Sequence, residues 1–147
     1  MSVRTLGRTT LLVRDYEKAL EFYRDTLGFR VLHDSRKPDG GRLLHIGLSP
    51  NNGESSIGLW LLEATGADDL LVGRQAGSHP FLVLYTDNCE ETVRELERLD
   101  VEIRKRPTRG DGAMFAHIAD LYGNDIVIAQ VERITPAVTQ AIRARAR

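Results

Sequence analysis

The sequence is short of the features that support covalent cross-linking or insertion into a membrane. Its 147 residues include a single cysteine, Cys89, which excludes an intrachain disulfide and is typical of proteins in a reducing compartment. No apolar run approaches the roughly 20 residues that cross a bilayer. The start, MSVRTLGRTT, lacks the apolar segment of a signal peptide. These features predict a soluble, cytoplasmic protein.

The chain also lacks an excess of charge of either sign. It has 20 basic and 21 acidic residues, and the formal net charge is −1. That balance argues against partners held by electrostatic attraction, such as nucleic acid or an anionic membrane surface. Hydrophobic residues make up 41% of the sequence, which is enough to bury the core of one small domain.

The first half of the chain reads as a strand, a helix and three strands. TTLLVRD ends in Asp15, which can cap a helix, and Gly28 can end that helix. The intervening segment, YEKALEFYRDTLGF, places apolar residues on one helical face: Ala19, Leu20, Tyr23 and Leu27. The segments FRVLHD, RLLHIGLS and SIGLWLLEA follow as predicted strands.

The same order recurs in the second half. PFLVLYTDN is a predicted strand, and Asp87 or Asn88 is the predicted helix cap, with Glu90 completing a capping-box pattern after Asp87. The helix CEETVRELERL places four residues on one side: Cys89, Val93, Leu96 and Leu99. VEIRKR, AMFAHIAD and NDIVIAQV complete the strands. A repeated β-α-β-β-β order predicts one domain over residues 1–131, built from two similar modules, about 5–64 and 79–131, with a connector at 65–78. Residues 132–147 form a basic tail or a short helix.

These elements carry a resemblance to a known family. The segments TTLLVRDYEKALEFYRDTLGFRVL and FLVLYTDNCEETVREL, with the D-x-x-G-N turn at Asp120–Asn124, resemble the vicinal oxygen chelate superfamily over about Thr5 to Val131. That superfamily includes glyoxalase I, extradiol dioxygenases and bleomycin-resistance proteins. The resemblance implies an α+β fold of two βαβββ modules, whose mixed sheets curl around a cavity. It also implies a homodimer, since many members are dimers.

The resemblance identifies four strand positions where metal-dependent members carry His or Glu. In this sequence they are Arg8, Trp60 (or Gly58, if the register differs by two), Phe81 and Val127. None of these side chains is a good ligand for a divalent metal. The strand after the Gly-Asn turn therefore builds a wall rather than supplying a ligand, and no cofactor is expected.

Alternation along the strands predicts which side chains line the cavity. The predicted ligand-binding residues are Arg8, Thr10, Trp60, Phe81, Tyr85, Asp125 and Val127. Leu12, Leu62 and Val83 share this face. The opposite, almost purely aliphatic face would pack under the helices; it contains Leu11, Val13, Leu59, Leu61, Leu82, Leu84, Ile126 and Ile128. A mostly apolar hollow with a few polar groups suits a small-molecule pocket.

Structural alternatives accompany these assignments. Trp60 and Phe81 could simply fill the cavity, and Arg8 could form a structural ion pair with Asp125 or another acidic residue. Cys89 is expected to be buried packing, although a thiol on a first helical turn can have a lowered pKa. A displaced metal site could also draw on other residues: His45, His79, His117 and Glu63.

Three functions follow from this sequence. The leading hypothesis is a metal-free protein that binds a small hydrophobic or aromatic molecule between the modules, as bleomycin-resistance proteins do. The second is a metal-dependent lyase, isomerase or dioxygenase that uses the displaced histidines. The third is an interaction module that binds no ligand.

Overall fold

The structure is a computed structural model that describes residues 2–48, 57–131 and 144–145. The first module contains β1 (Arg8–Val13), α1 (Tyr16–Leu20) with a π-helical continuation (Glu21–Thr26), β2 (Arg30–Arg36), β3 (Arg42–Gly47) and β4 (Gly58–Glu63). The connector carries a 3-10 helix (Gly66–Leu71). The second module contains β5 (Pro80–Tyr85), α2 (Cys89–Arg98), β6 (Ile103–Gly110), β7 (Ala113–Ala119) and β8 (Asp125–Val131).

Each module forms its own four-stranded mixed sheet. The strand orders are β1-β4-β3-β2 and β5-β8-β7-β6, and the first two strands of each order are parallel while the others are antiparallel. The predicted α+β fold with a repeated βαβββ unit is confirmed. Among the described strands, no hydrogen-bonded pair joins one sheet to the other, so the two sheets do not close into a barrel.

The first helix begins as predicted but changes its hydrogen bonding midway. The Asp15 side chain accepts a hydrogen bond from the Lys18 N–H at 3.0 Å. After Leu20 the helix becomes π-helical, and its end is marked by a bond from the Leu27 N–H to the Phe22 carbonyl. Apolar periodicity predicts a helix but does not distinguish α from π turns, because the two differ by one residue per hydrogen-bonded ring.

The second helix corrects two expectations. Asn88 is the cap, and its side chain accepts from the Glu91 N–H at 3.0 Å, so the capping box with Glu90 is wrong. Leu99 is 56% exposed and lies outside the buried face of the helix. The other three residues assigned to that face are buried: Cys89, Val93 and Leu96.

The core confirms the predicted alternation along most strands. Six residues of the aliphatic set are buried: Leu11, Val13, Leu59, Leu61, Ile126 and Ile128. Leu82 and Leu84 are partly buried against the same cluster. One contiguous core combines buried residues of both modules, so the modules fold as a unit.

The turn before β8 connects the second module to the first. Tyr23 Oη donates a hydrogen bond to Asp120 Oδ2 at 2.6 Å, and both side chains are buried. Asp120 also accepts the backbone N–H groups of Tyr122 and Asn124 at 2.9 Å each, and the Asn124 side-chain amide at 2.8 Å. The carboxylate of the D-x-x-G-N turn therefore has four donors, one of which comes from the other module.

Two further contacts place the connector and the turn against the first module. Tyr122 Oη accepts from the backbone N–H groups of Arg14 at 3.0 Å and Asp15 at 3.2 Å. Gly73, with φ +77°, passes so close to the turn that a Cβ there would lie 2.0 Å from the Tyr122 carbonyl oxygen. Only glycine fits this approach.

The outer edge of β1 is capped by one side chain of the connector. Gln75 Oε1 accepts from the Leu12 N–H at 2.6 Å, and Gln75 Nε2 donates to the Thr10 carbonyl at 2.9 Å. The amide side chain thus makes the same pair of hydrogen bonds that a neighbouring strand would make.

The C-terminal tail and any membrane-spanning helix can be described only within the residues given above. The predicted tail at 132–147 lies outside them except for 144–145, which are helical. Within the described ranges, none of the helices has the length and apolar character needed to span a bilayer.

Candidate functional site

Four side chains form a row across the first sheet on the face opposite the core. Strand pairing places Thr10 beside Trp60, Trp60 beside His45, and His45 beside His33. The His45 and Trp60 rings meet edge to face with centroids 5.5 Å apart, and the His33 and His45 centroids are 5.8 Å apart. Together with Arg8, these residues form what we call the first-sheet patch.

The Arg8 side chain reaches the other patch residues by passing over Gly58. It pairs with Gly58 on the neighbouring strand, and a Cβ at that position would lie 3.0 Å from Arg8 Cδ. Because Gly58 has no side chain, the guanidinium extends over β4, and its Nε donates to His45 Nδ1 at 3.3 Å. Arg8 Nη1 also donates to the Gly7 carbonyl at 2.8 Å. Asp125, the acidic partner suggested for Arg8, instead lies 2.8 Å from His117 Nδ1 and 4.0 Å from Arg104 Nη1.

This contact fixes the protonation of His45. Arginine can only donate, so Nδ1 must carry the lone pair and the neutral ring holds its proton on Nε2. Burial lowers the pKa of His45 below its ordinary value of 6.5, and the nearby charges of Arg8 and His33 lower it further. His45 is therefore neutral at pH 7, with an Nε2–H donor.

Two N–H donors of the patch have no partner. His45 Nε2 and Trp60 Nε1 are both buried, and neither forms a hydrogen bond among the residues that the structure describes. A buried donor without an acceptor costs about 1–3 kcal/mol, and buried indole N–H groups ordinarily find a partner. Two such donors on adjacent rings are therefore candidates for a contact with a bound molecule.

The second sheet carries a corresponding row. Val83 pairs with Val127, Val127 with His117, and His117 with Lys105. His117 Nδ1 lies 2.8 Å from Asp125 Oδ2, so the carboxylate accepts the Nδ1 proton and the neutral ring has its lone pair on Nε2. These five residues are the second-sheet patch.

His45 and His117 occupy equivalent places in the repeat, although nothing in the sequence suggested the comparison. Each lies on the third strand of its module, opposite Trp60 or Val127 on the fourth. Their local partners differ, since Arg8 approaches one ring and Asp125 the other. Nδ1 of the first ring thus accepts a hydrogen bond, whereas Nδ1 of the second ring lies against a carboxylate.

Two predicted site residues are placed differently from the rest. Phe81 lies at a register irregularity, because Pro80 pairs with Asp125 while Leu82 pairs with Ile126, and its ring packs against the core. Simple alternation does not extend through such a bulge. Tyr85 is 77% exposed at the end of β5. It borders a cleft of about 230 Å³ between the modules, whose lining includes Leu27, Leu84, Leu96 and Leu99.

The four strand positions, all among the described residues, do not fit a resident metal of the kind that the superfamily's enzymes hold. The four strand positions carry a cation, an indole, a phenyl ring and an isopropyl group, none of which donates to a divalent metal. Within residues 2–48, 57–131 and 144–145, no three His, Cys, Asp or Glu side chains lie together in a way that could hold an ion. Of the displaced set, His79 and Glu63 are exposed, while His45 and His117 lie on separate sheets.

The repeated βαβββ unit with two mixed sheets defines a fold class, and the sequence matches one family model of that class. The model describes the Glyoxalase/Bleomycin resistance protein/Dioxygenase superfamily and matches residues 5–128. The chain belongs to this superfamily. The earlier resemblance is thereby confirmed.

Individual relatives are distant. A functionally uncharacterised protein of Shewanella frigidimarina is 28% identical over 122 residues, covering 82% of this chain and 89% of that protein. The structure of UcmS2 has a TM-score of 0.73 and 22% identity, covering 88% of this chain and 98% of that one. The structure of TnmS3, an antibiotic-binding protein from Streptomyces sp. CB03234, has a TM-score of 0.71 and 26% identity, covering 90% and 99%.

Proposed function

We propose that this protein binds a small planar, hydrophobic molecule without a metal ion, and that the first-sheet patch is the principal contact surface. The proposal assigns stacking to Trp60 and His45. Thr10 and Arg8 supply polar contacts at the edges of the rings. Such a site recognises its ligand by shape, stacking and a few hydrogen bonds, so it needs no reactive group.

The observation that carries this proposal is the composition of the patch. An indole and two imidazoles stand side by side on the face opposite the core, and Trp60 is one of the four positions where the resemblance implies a metal ligand in metal-dependent members. Trp60, His45 and Thr10 are only partly buried, so the patch has surface left to cover. Aromatic faces of this kind bury large areas at low entropic cost when a flat ligand stacks on them.

The similarity to TnmS3 supports the same class of function. That protein is described as antibiotic-binding, and the two chains align over nearly their full lengths. Fold similarity alone does not transfer an activity, since this superfamily supports many functions. The argument for binding therefore depends on the patch, and the relative supplies the class of ligand to test first.

Calorimetric titration of metal-stripped protein tests the proposal. Anthraquinone-2-sulfonate is a suitable first probe because it is planar, polycyclic and water-soluble. We expect saturable binding after treatment with EDTA, and a loss of at least tenfold in affinity for Trp60→Leu, which removes the stacking surface. Leu121→Ala is the matched control, since Leu121 is a partly exposed apolar residue outside both patches. Equal affinity in the two variants would contradict the proposal.

A second titration, with metal removed by EDTA and then added back, distinguishes metal-free binding from the enzymatic alternative. Binding that EDTA removes and Zn²⁺ or Mn²⁺ restores would support the displaced metal site of His45, His79, His117 and Glu63. Absence of binding to any planar probe, with a protein partner recovered instead, would favour the interaction module. We expect neither result.

The remaining assignments are also proposals. We propose that the protein is cytoplasmic, because its single cysteine is a free thiol. We also propose that it is a homodimer, because many members of the superfamily are dimers. Sedimentation velocity at micromolar concentration tests the dimer, and a single species with the mass of one 16.5 kDa chain would refute it.

A further inference from the structure

We infer that the ligand of the first-sheet patch presents a hydrogen-bond acceptor oxygen, conjugated to its planar body, to the indole N–H of Trp60 and the Nε2–H of His45. This inference rests on the proposed function and adds the chemical class of the ligand to it. It starts from the two buried N–H groups that lack a partner among the described residues.

The direction of both hydrogen bonds is fixed by the protein. An indole nitrogen can only donate. His45 donates through Nε2 because its Nδ1 accepts from Arg8 Nε at 3.3 Å. Both groups therefore need an acceptor lone pair from the ligand, and a ligand group that can only donate does not satisfy them.

The position of the donors favours one polar group on an apolar body. The two rings lie edge to face with centroids 5.5 Å apart, so the two donors belong to neighbouring side chains on one face of the sheet. The rings themselves are apolar surfaces beside Thr10, and Arg8 adds a charged donor next to His45. A carbonyl, enolate or phenolate oxygen attached to a flat hydrocarbon combines the two requirements.

Charge disfavours the opposite chemistry. Arg8 places a permanent positive charge beside His45, and the His45 and Trp60 edges present the positive ends of N–H dipoles. An electron-rich oxygen is attracted to this edge, whereas an ammonium group is repelled. The patch should therefore discriminate between a ketone and an amine of the same shape.

The single tryptophan allows a direct test in the intact chain. A ¹⁵N-labelled sample gives one indole N–H resonance, which belongs to Trp60. We would titrate it with 1-tetralone and with tetralin, which differ only in a carbonyl in place of a methylene group. We expect roughly tenfold tighter binding of the ketone, as one or two net hydrogen bonds provide, and a downfield shift of the indole proton with the ketone alone.

The alternatives give distinct results. Equal affinities with an unmoved indole proton would overturn the inference and leave the proposed binding function intact. No binding of either compound at millimolar concentration would overturn both. Trp60→Phe keeps a stacking ring and removes one of the two donors, so it should weaken the preference for the ketone while tetralin still binds. A preference of unchanged size in this variant would also overturn the inference.

Discussion

Tyr23 and Asp120 join the two modules through a buried hydrogen bond of 2.6 Å between residues 97 positions apart in the chain. The phenol belongs to the π-helical segment of the first module, and the carboxylate to the turn that precedes β8. Burial raises the pKa of Tyr23 well above its ordinary value, and the charge of Asp120 raises it further. The phenol therefore keeps its proton and remains the donor.

Removal of this hydrogen bond should destabilise the whole domain. Tyr23→Phe leaves the ring in place but withdraws one of the four donors to a buried carboxylate, which should cost about 2 kcal/mol of unfolding free energy. Urea denaturation measures the change. Tyr85→Phe is the matched control, since Tyr85 is 77% exposed, and it should change the free energy by less than about 0.5 kcal/mol. A similar loss in both variants would contradict the role assigned to Tyr23.

Gly73 should be far less replaceable than Gly66. Both have positive φ, +77° and +57°, so alanine incurs backbone strain at either position. Only at Gly73 would the new Cβ meet an atom, the Tyr122 carbonyl oxygen at 2.0 Å, whereas the space around Gly66 is open. We expect Gly66→Ala to lower the free energy of unfolding by about 1 kcal/mol and Gly73→Ala by about 3 kcal/mol or more. Thermal denaturation of the two variants measures these losses of unfolding free energy. Equal losses in the two variants would argue against the close approach of Gly73 to Tyr122.

His45 should make stability depend on pH. Its pKa is lowered in the folded protein, so the unfolded chain binds the proton more readily. The contribution is complete above the ordinary pKa of 6.5 and is lost as the pH falls through the lowered pKa of the folded state. His45→Gln keeps a polar side chain that can accept a hydrogen bond from Arg8 and removes the titration.

Urea denaturation between about pH 7 and pH 5 measures this dependence. The slope of unfolding free energy against pH should be shallower for His45→Gln than for the wild type. His79→Gln, which removes an exposed histidine before β5, is the control. Parallel slopes for wild type and His45→Gln would exclude a lowered pKa at His45.

Cys89 should be inert in the folded protein. It is fully buried on the first turn of α2, and burial raises the pKa of its thiol, which outweighs the lowering that a helix N-terminus can cause. In the native protein, the rate at which Cys89 reacts with Ellman's reagent should equal the rate of unfolding. In urea, the same thiol should react promptly. Ser78→Cys adds an exposed thiol as the positive control. Rapid labelling of native wild type would indicate that Cys89 is accessible.

The architecture could be predicted from the sequence because its signals are local. Apolar alternation and capping residues such as Asp15 specify the strands and helices, and the repeated order specifies two modules. The missed details depend on contacts between distant residues. The π-helical segment and the Tyr23–Asp120 bond belong to the packing of one module against the other, which periodicity does not encode.

Only part of the candidate site could be predicted from the sequence. Alternation placed Arg8, Thr10 and Trp60 on one face, and the strand pairing agrees with that placement. The importance of His45 could not be inferred, because its tautomer depends on Arg8 passing over Gly58 from a strand 37 residues earlier. Phe81 was assigned by alternation, which a bulge interrupts.

The amide of Gln75 has a consequence for how copies of this chain meet. An exposed edge strand is a template on which a foreign strand can add, and such addition leads to aggregation or to exchange of segments between molecules. At β1 a newcomer would first have to displace the hydrogen bonds of Gln75 to Leu12 and Thr10. One polar side chain thus protects this edge of the first sheet against the addition of a foreign strand.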